Sequence, residues 1–138
     1  MAKFTLRDAR LEVNGTVVSD HANEVSVETS RDEQDFTSFG AVNKEIQPGL
    51  GDATITATFF QDFAGGSIDA ILWPLSSSVT PFVVRVRPTT AAISATNPEY
   101  SMSAHLLGYN PISGGVGAPA STPVTFRNAL PAGLTRNP

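Results

Sequence analysis

GLGDATITATFFQDFAGGSIDAILWP, residues 49–74, carries two periodicities in succession. Ala53, Ile55, Ala57 and Phe59 alternate with Thr54, Thr56, Thr58 and Phe60, the two-residue period of a strand that buries one face. Gly65 and Gly66 break that run. Ile68, Ile71, Leu72 and Leu75 then recur at i, i+3, i+4, i+7, one apolar stripe of a helix, with Trp73 beside it. Ser67 is the expected N-cap, and Asp69 suits the positive end of the helix dipole. Pro74 disfavours helical geometry at Trp73, so the spacing predicts a helix over about 67–73. So short a helix is unstable alone and must dock its stripe on a sheet. The threonine face is neither apolar nor charged.

The surrounding chain has the same character. RLEVNGTVVS, residues 10–19, places Asn14-Gly15 between two β-prone runs, a tight-hairpin signal. Asn14-Gly15-Thr16 also fits the glycosylation pattern but reads as this turn. NEVSVET sets Val25 and Val27 against Glu24, Ser26 and Glu28. TPFVVRVRP sets Phe82, Val84 and Val86 against Val83, Arg85 and Arg87. YSMSAHLLGYN sets Tyr100, Met102, Ala104 and Leu106 against Ser101, Ser103, His105 and Leu107, and PVTFRN turns Val124 and Phe126 inward. Half-polar strands separated by turn residues predict a mainly β fold: an antiparallel β-sandwich or half-barrel with one short flanking helix.

The 138 residues suffice for one domain with a real core. Residues 1–127 read as that domain and 128–138 as a tail, poorly ordered unless held by a partner. Residues 110–123 read as a Gly-, Pro- and Ser-rich loop. SRDEQDFTSFGAVNKEIQPGLG, residues 30–51, reads as one long polar loop, a length that is often functional. There is no cysteine, which excludes thiol chemistry and cysteine-based metal sites. No apolar run approaches a membrane span, and MAKFTLRDARLEV has no apolar signal core. The net charge of −4 argues against tight phosphate binding. Twelve acidic and five basic residues precede residue 70; one acidic and four basic residues follow it. Such halves either pair head to tail between copies or reflect uneven scatter.

Motifs for chemistry are sparse. His21 falls in a turn and His105 on a polar strand face, neither with a second ligand at metal-site spacing. A Ser-His-Asp triad is assembled in space and is open on composition, but no G-x-S-x-G elbow occurs. SGGVGAP lacks nucleotide-loop spacing. Asp32, Glu33 and Asp35 could serve a hard cation but lack EF-hand spacing and read as a solvated acidic loop. Arg85 and Arg87 share a face without interleaved aromatics, which favours a salt-bridged interface or wet face over a nucleic-acid groove. No cofactor, metal or catalytic residue is assigned, and an enzyme is not expected.

PGLGDATITATFFQDFAGGSIDAILWPL resembles the central segment of major tail (tail tube) proteins of long-tailed, siphovirus-type bacteriophages, especially those of actinobacterial hosts. The resemblance rests on the Gly-Leu-x-Asp entry, Gln61-Asp62-Phe63 and the helix ending Leu72-Trp73-Pro74. It continues through Asn97-Pro98-x-Tyr100, Tyr109-x-Pro111-Ile112 and Val116-Gly117…Val124-Thr125-Phe126, spanning roughly residues 35–127. It implies a structural virion protein, made in the bacterial cytoplasm and residing in the tail. Its subunits would form hexameric rings that stack into a hollow tube for DNA delivery. Implied partners are further copies, tape-measure, terminator and distal tail proteins, and DNA in transit, with no membrane. The large extra C-terminal surface domain of some members is missing from this sequence.

Under that resemblance, Glu24, Ser26, Glu28, Thr54, Thr56 and Thr58 are candidate lumen-facing residues. Asp32, Glu33, Asp35, Phe36, Phe39 and Lys44 are candidates for contact between rings. Arg85, Arg87 and Arg127 are candidate interface charges between subunits. The alternatives are another virion β subunit (a capsid decoration protein or a tail terminator) and, more remotely, a ligand-binding β-sandwich or a hydrolase.

Overall fold

Arg10–Val13 (β1), Thr16–Val17 (β2), Ala22–Asp35 (β3), Ile46–Phe60 (β4), Phe82–Arg87 (β5), Glu99–Tyr109 (β6), Ser121–Asn128 (β7) and Thr135–Asn137 (β8) are the strands. The one α-helix, α1, is Ile68–Ser76, and a 3-10 turn spans Ser19–His21. These come from a computed structural model that describes residues 3–138. The strands form one antiparallel sheet in the order β2-β1-β5-β6-β7-β4-β3, with β8 also on β6. The expected class holds: mainly β and antiparallel with a single helix, the sheet being one open sheet.

One face of this sheet is the core. Leu11 and Val13, Val84 and Val86, Met102, Ala104 and Leu106, Val124 and Phe126, and Ile55, Ala57 and Phe59 are all buried on it. Ile68, Leu72 and Leu75 of α1 join the same cluster, so the helix supplies the second layer. Asn14 (φ 49°) and Gly15 (φ 84°) take the two left-handed positions of the β1–β2 turn, which Asn-Gly tolerates better than other pairs. β6 carries a bulge between Leu106 and Gly108, which leaves Leu107 exposed.

Four sequence expectations change. Residues 30–51 are not one loop: β3 continues to Asp35 and β4 begins at Ile46, paired Asp35↔Ile46, so only 36–45 connect them. The helix passes Pro74 and ends at Ser76, because burial of Leu75 draws another half-turn onto the sheet; Trp73 points outward and is exposed. Ser67 precedes the helix without capping it, its hydroxyl donating to Asp62 Oδ2 at 2.7 Å instead. The C-terminal tail is held by the chain itself: Thr135–Asn137 pairs with Glu99–Ser101 in the lane that β7 vacates. The hydroxyls of Ser101 and Thr135 meet there at 2.9 Å.

Candidate functional site

Among the described residues, the features open to a partner are a sheet face, a projecting hairpin and the strand ends behind it. The face opposite the core is largely polar, with Phe60 and Val83 among its hydroxyl and charged side chains. Antiparallel registry places residues in rows across it. Glu28 lies opposite Thr54, Thr54 opposite Arg127, and Arg127 opposite His105. Ser26, Thr56 and Thr125 form a second row, and Glu24, Thr58 and Pro123 a third. On the other flank Glu12, Arg85 and Ser101 align, beside Arg10 and Arg87. The six lumen candidates and the three candidate interface arginines therefore share one face of one sheet.

The charges on this face are unevenly compensated. Arg85 contacts Glu12 at 3.0 Å and Arg87 contacts Glu99 at 3.4 Å. Arg10 lies 3.7 Å from Glu12 and 3.8 Å from Glu99, and Arg127 pairs with Asp52. The Arg127–Asp52 pair is exposed on both sides and stabilises by only about 0–1 kcal/mol. Arg10, Arg85 and Arg87 share two half-buried carboxylates, Glu12 and Glu99, which leaves one positive charge in excess on that flank. Glu24 and Glu28 have no ion-pair partner among the described residues, so β3 carries the uncompensated negative charge of the face. Threonine and serine fill the intervening rows, presenting small hydroxyls without charge.

The β3–β4 hairpin runs beyond the rest of the sheet, since β7 pairs with β4 only from Thr54 onward. Its outer half is exposed on both faces. Phe36, Phe39, Val42 and Leu50 are exposed there, with Asp32, Glu33, Asp35 and Lys44 around them. The tip is nevertheless ordered locally. The Thr37 amide donates to Asp35 Oδ1 at 2.9 Å, the Glu45 amide donates to Thr37 Oγ1 at 2.7 Å, and the Phe36 amide donates to the Glu45 carbonyl at 2.9 Å. The Thr37 hydroxyl and amide hold the Asp35 carboxyl below its ordinary value, so it is ionised at neutral pH. The ribbon thus ends in exposed aromatics on an ordered backbone.

The motifs of the opening stretch act as joints at the opposite end of the strands. Gln61 Nε2 donates to the Tyr109 hydroxyl at 3.2 Å and to the Pro111 carbonyl at 2.6 Å. The Tyr109 hydroxyl donates to Asp69 Oδ1 at 2.7 Å, and burial, then that carboxylate, pushes its pKa up to about 12. One network thus ties the ends of β4 and β6 to the start of α1. The buried Asn97 accepts from the Thr89 amide at 3.2 Å and donates to the carbonyls of Ala91 and Ala92 at 2.9 and 3.2 Å, closing the loop before β6. The strand periodicity carried no hint of these joints; the advance signals were Gln61-Asp62 after the strand and the Asn97-Pro98 and Tyr109-x-Pro111 pairs.

His21, Asp62 and Ser67 do come together, but not as a nucleophilic triad. The Ser67 hydroxyl donates a hydrogen bond to Asp62 Oδ2 at 2.7 Å and stands 3.4 Å from His21 Nε2. Its proton is directed at the carboxylate, not at the imidazole, so the arrangement is not that of an activated serine. Among the described residues, no group of three His, Cys, Asp or Glu side chains is placed to hold a metal ion, and Asp32, Glu33 and Asp35 are spread along β3. No helix of the structure is long and apolar enough to cross a membrane.

No protein-family model matches the sequence, and no curated protein matches it. Solved structures do share the fold. A chain from the virion of a native gene transfer agent particle superposes with TM-score 0.74 at 12% identity, covering 95% of this chain and 96% of that one. A chain from the sheath/tube terminator of an extracellular contractile injection system, PVC, in the extended state superposes with TM-score 0.74 at 14% identity, covering 100% and 99%. A chain from the sheath-tube complex of that system gives 0.70 at 16% identity, covering 98% and 91%. At these identities the likeness is one of fold, extending over nearly the whole of each chain.

Proposed function

We propose that this chain is a tail tube subunit that forms hexameric rings, stacked into a hollow conduit for DNA. The observation that carries the reading is the end-to-end match in fold, at TM-scores of 0.74 and 0.70, to chains of virion and sheath-tube assemblies. A further match, to the tail of an empty gene transfer agent particle described with C6 symmetry, supports six subunits per ring. The affiliation with long-tailed phages of actinobacterial hosts rests on the motifs between residues 35 and 127. Location in the virion tail, partnership with tape-measure and distal tail proteins, and a non-enzymatic role follow from the same reading.

In this arrangement the polar face lines the lumen. Glu12, Glu99 and Asp52 offset all but one of the charges on Arg10, Arg85, Arg87 and Arg127, while Glu24 and Glu28 on β3 repel phosphate and the Thr54, Thr56 and Thr58 rows stay neutral. DNA then slides without a binding site to leave. The open edges at β2 and β3 pair between neighbours in the ring, which removes unpaired backbone from solvent. Arg85, Arg87 and Arg127, on the interior strands β5 and β7, stand back from those edges, each beside a carboxylate of its own chain. The hairpin around Phe36 and Phe39 contacts the next ring, a heterologous contact that repeats along a filament.

Placing lysine at both Glu24 and Glu28 tests the lumen assignment. Particles should assemble normally and deliver DNA more slowly, on the order of tenfold, by a single-particle ejection assay. Normal ejection rates would remove β3 from the lumen. A second reading is supported by the terminator match: a ring that caps a tube without polymerising. Electron microscopy of the purified chain separates the two, stacked tubes for the first and single rings for the second.

A further inference from the structure

One cluster of titratable side chains lies away from the polar face and the hairpin tip. His21 ends the 3-10 turn that leads into β3, and Asp62 lies in the turn between β4 and α1, 41 residues later. Asp62 Oδ2 accepts from His21 Nε2 at 3.1 Å and from the Ser67 hydroxyl at 2.7 Å. Its other oxygen, Oδ1, accepts from the Ala64 amide at 2.9 Å. The second ring nitrogen, His21 Nδ1, lies 3.1 Å from Asp20 Oδ1.

Both ring nitrogens therefore face carboxylates. Only the doubly protonated imidazolium has a proton for each of them; a neutral ring presents a lone pair to one. The geometry itself selects the charged form. We propose that Asp20, His21, Asp62 and Ser67 form a proton-dependent latch that fastens the root of the β3–β4 hairpin to the entry of α1.

The surroundings contain nothing that competes with the latch. The cleft beside it is lined by Thr16, Val17, Val18, Gly65, Gly66 and Ile68, none of them charged. Asp20 from the 3-10 turn and Asp62 from the β4–α1 turn are the charged groups facing His21; Ser67 presents only its hydroxyl. Asp69 of α1 is turned to Tyr109. The Asp20 hydrogen bond, then that of Asp62, raises His21 above its ordinary 6.5 against partial burial. The Ala64 amide, the Ser67 hydroxyl and His21 hold Asp62 below its ordinary 3.8.

The direction of the pH effect follows from linkage. A raised histidine stabilises fully below 6.5, and that contribution is lost as pH rises through its folded value. A depressed aspartate stabilises above 3.8, and its contribution is lost as pH falls through its folded value. The latch is therefore strongest between roughly pH 4 and 6.5. Above that window the neutral ring keeps its Nε2–H on Asp62 while Nδ1 loses Asp20, an exposed side chain free to swing away. The hairpin root is then held to Asp62 by a neutral hydrogen bond in place of a charge-assisted one, which weakens the latch without opening it.

NMR titration of the full chain, with His105 as the second histidine signal, tests this directly. His21 should titrate above pH 6.5, and Asp20→Asn should bring its midpoint down. Thermal melts at pH 5.5 and 8.5 complete the test. The wild-type advantage over His21→Gln should be present at pH 5.5 and shrink by about 2–4 °C at pH 8.5. A His21 midpoint at or below 6.5, a midpoint that Asp20→Asn leaves unmoved, or an equal advantage at both pH values would each overturn the latch. Asp20→Asn alters an exposed side chain, so the titration arm survives even if His21→Gln folds poorly.

Discussion

Replacing residues 36–45 by Asn-Gly yields a chain that folds as before and forms no long tubes. Asp35 and Ile46 are the last paired residues of the ribbon, so a two-residue turn can close it in register. Everything removed is exposed: Phe39 and Val42 bury almost nothing in their own subunit, and Phe36 is more than half exposed. Exposed changes of this kind move stability by about 0.5 kcal/mol or less. Assembly should respond far more, because each ring-to-ring contact would lose its aromatic residues, the type that dominates interface energies. Sedimentation and thermal melts read the two effects separately. Tubes of normal length from the truncated chain would remove the hairpin from the contact between rings.

Phe126→Ala has the opposite profile. Phe126 is fully buried in β7 between Ile55 of β4 and Leu106 of β6, and its ring meets Phe82 edge to face at 5.8 Å and 82°. Truncation removes that burial and leaves a cavity where three strands and the β5 aromatic converge, a loss of about 3–5 kcal/mol. A domain of this size has roughly 5–15 kcal/mol in total, so the variant should lose a large share of its stability. The expected fall in Tm is roughly 10–20 °C by circular dichroism. Phe39→Ala, at the exposed tip, should leave Tm nearly unchanged. A fall of only a degree or two for Phe126→Ala would mean that the core is not centred on β7.

These two phenylalanines also show what a sequence can and cannot convey. Phe126 was legible because Val124 and Phe126 alternate with polar neighbours, as Ala53–Phe59 do, and a half-buried sheet imposes that period. The Asn14-Gly15 hairpin was legible because few residue pairs accept two positive φ angles in succession. The outer ribbon was not. With both faces wet, residues 30–35 and 46–51 have no burial period to display, and Pro48, Gly49 and Gly51 imitate a loop. β8 was hidden because its strand state depends on the lane left open beside β6. Pro74 signalled a stop that the burial of Leu75 overrides.

The candidate surface was legible residue by residue but not as a surface. Polar positions on β3, β4 and β5 could be read from alternation; that they share one face follows from the strand order, which alternation does not encode. The internal partners of Arg85, Arg87 and Arg127 were likewise hidden, because Glu12, Glu99 and Asp52 lie on other strands. The His21–Asp62 contact joins turns far apart in the chain and leaves no local pattern.

The central claim is that this chain builds a tube by itself. Negative-stain electron microscopy of the concentrated, purified protein tests it most directly. The account predicts hollow filaments of stacked rings with six-fold averages end-on and a stain-filled lumen. Only monomers, trimers or single unstacked rings, at concentrations where the chain remains folded, would contradict it.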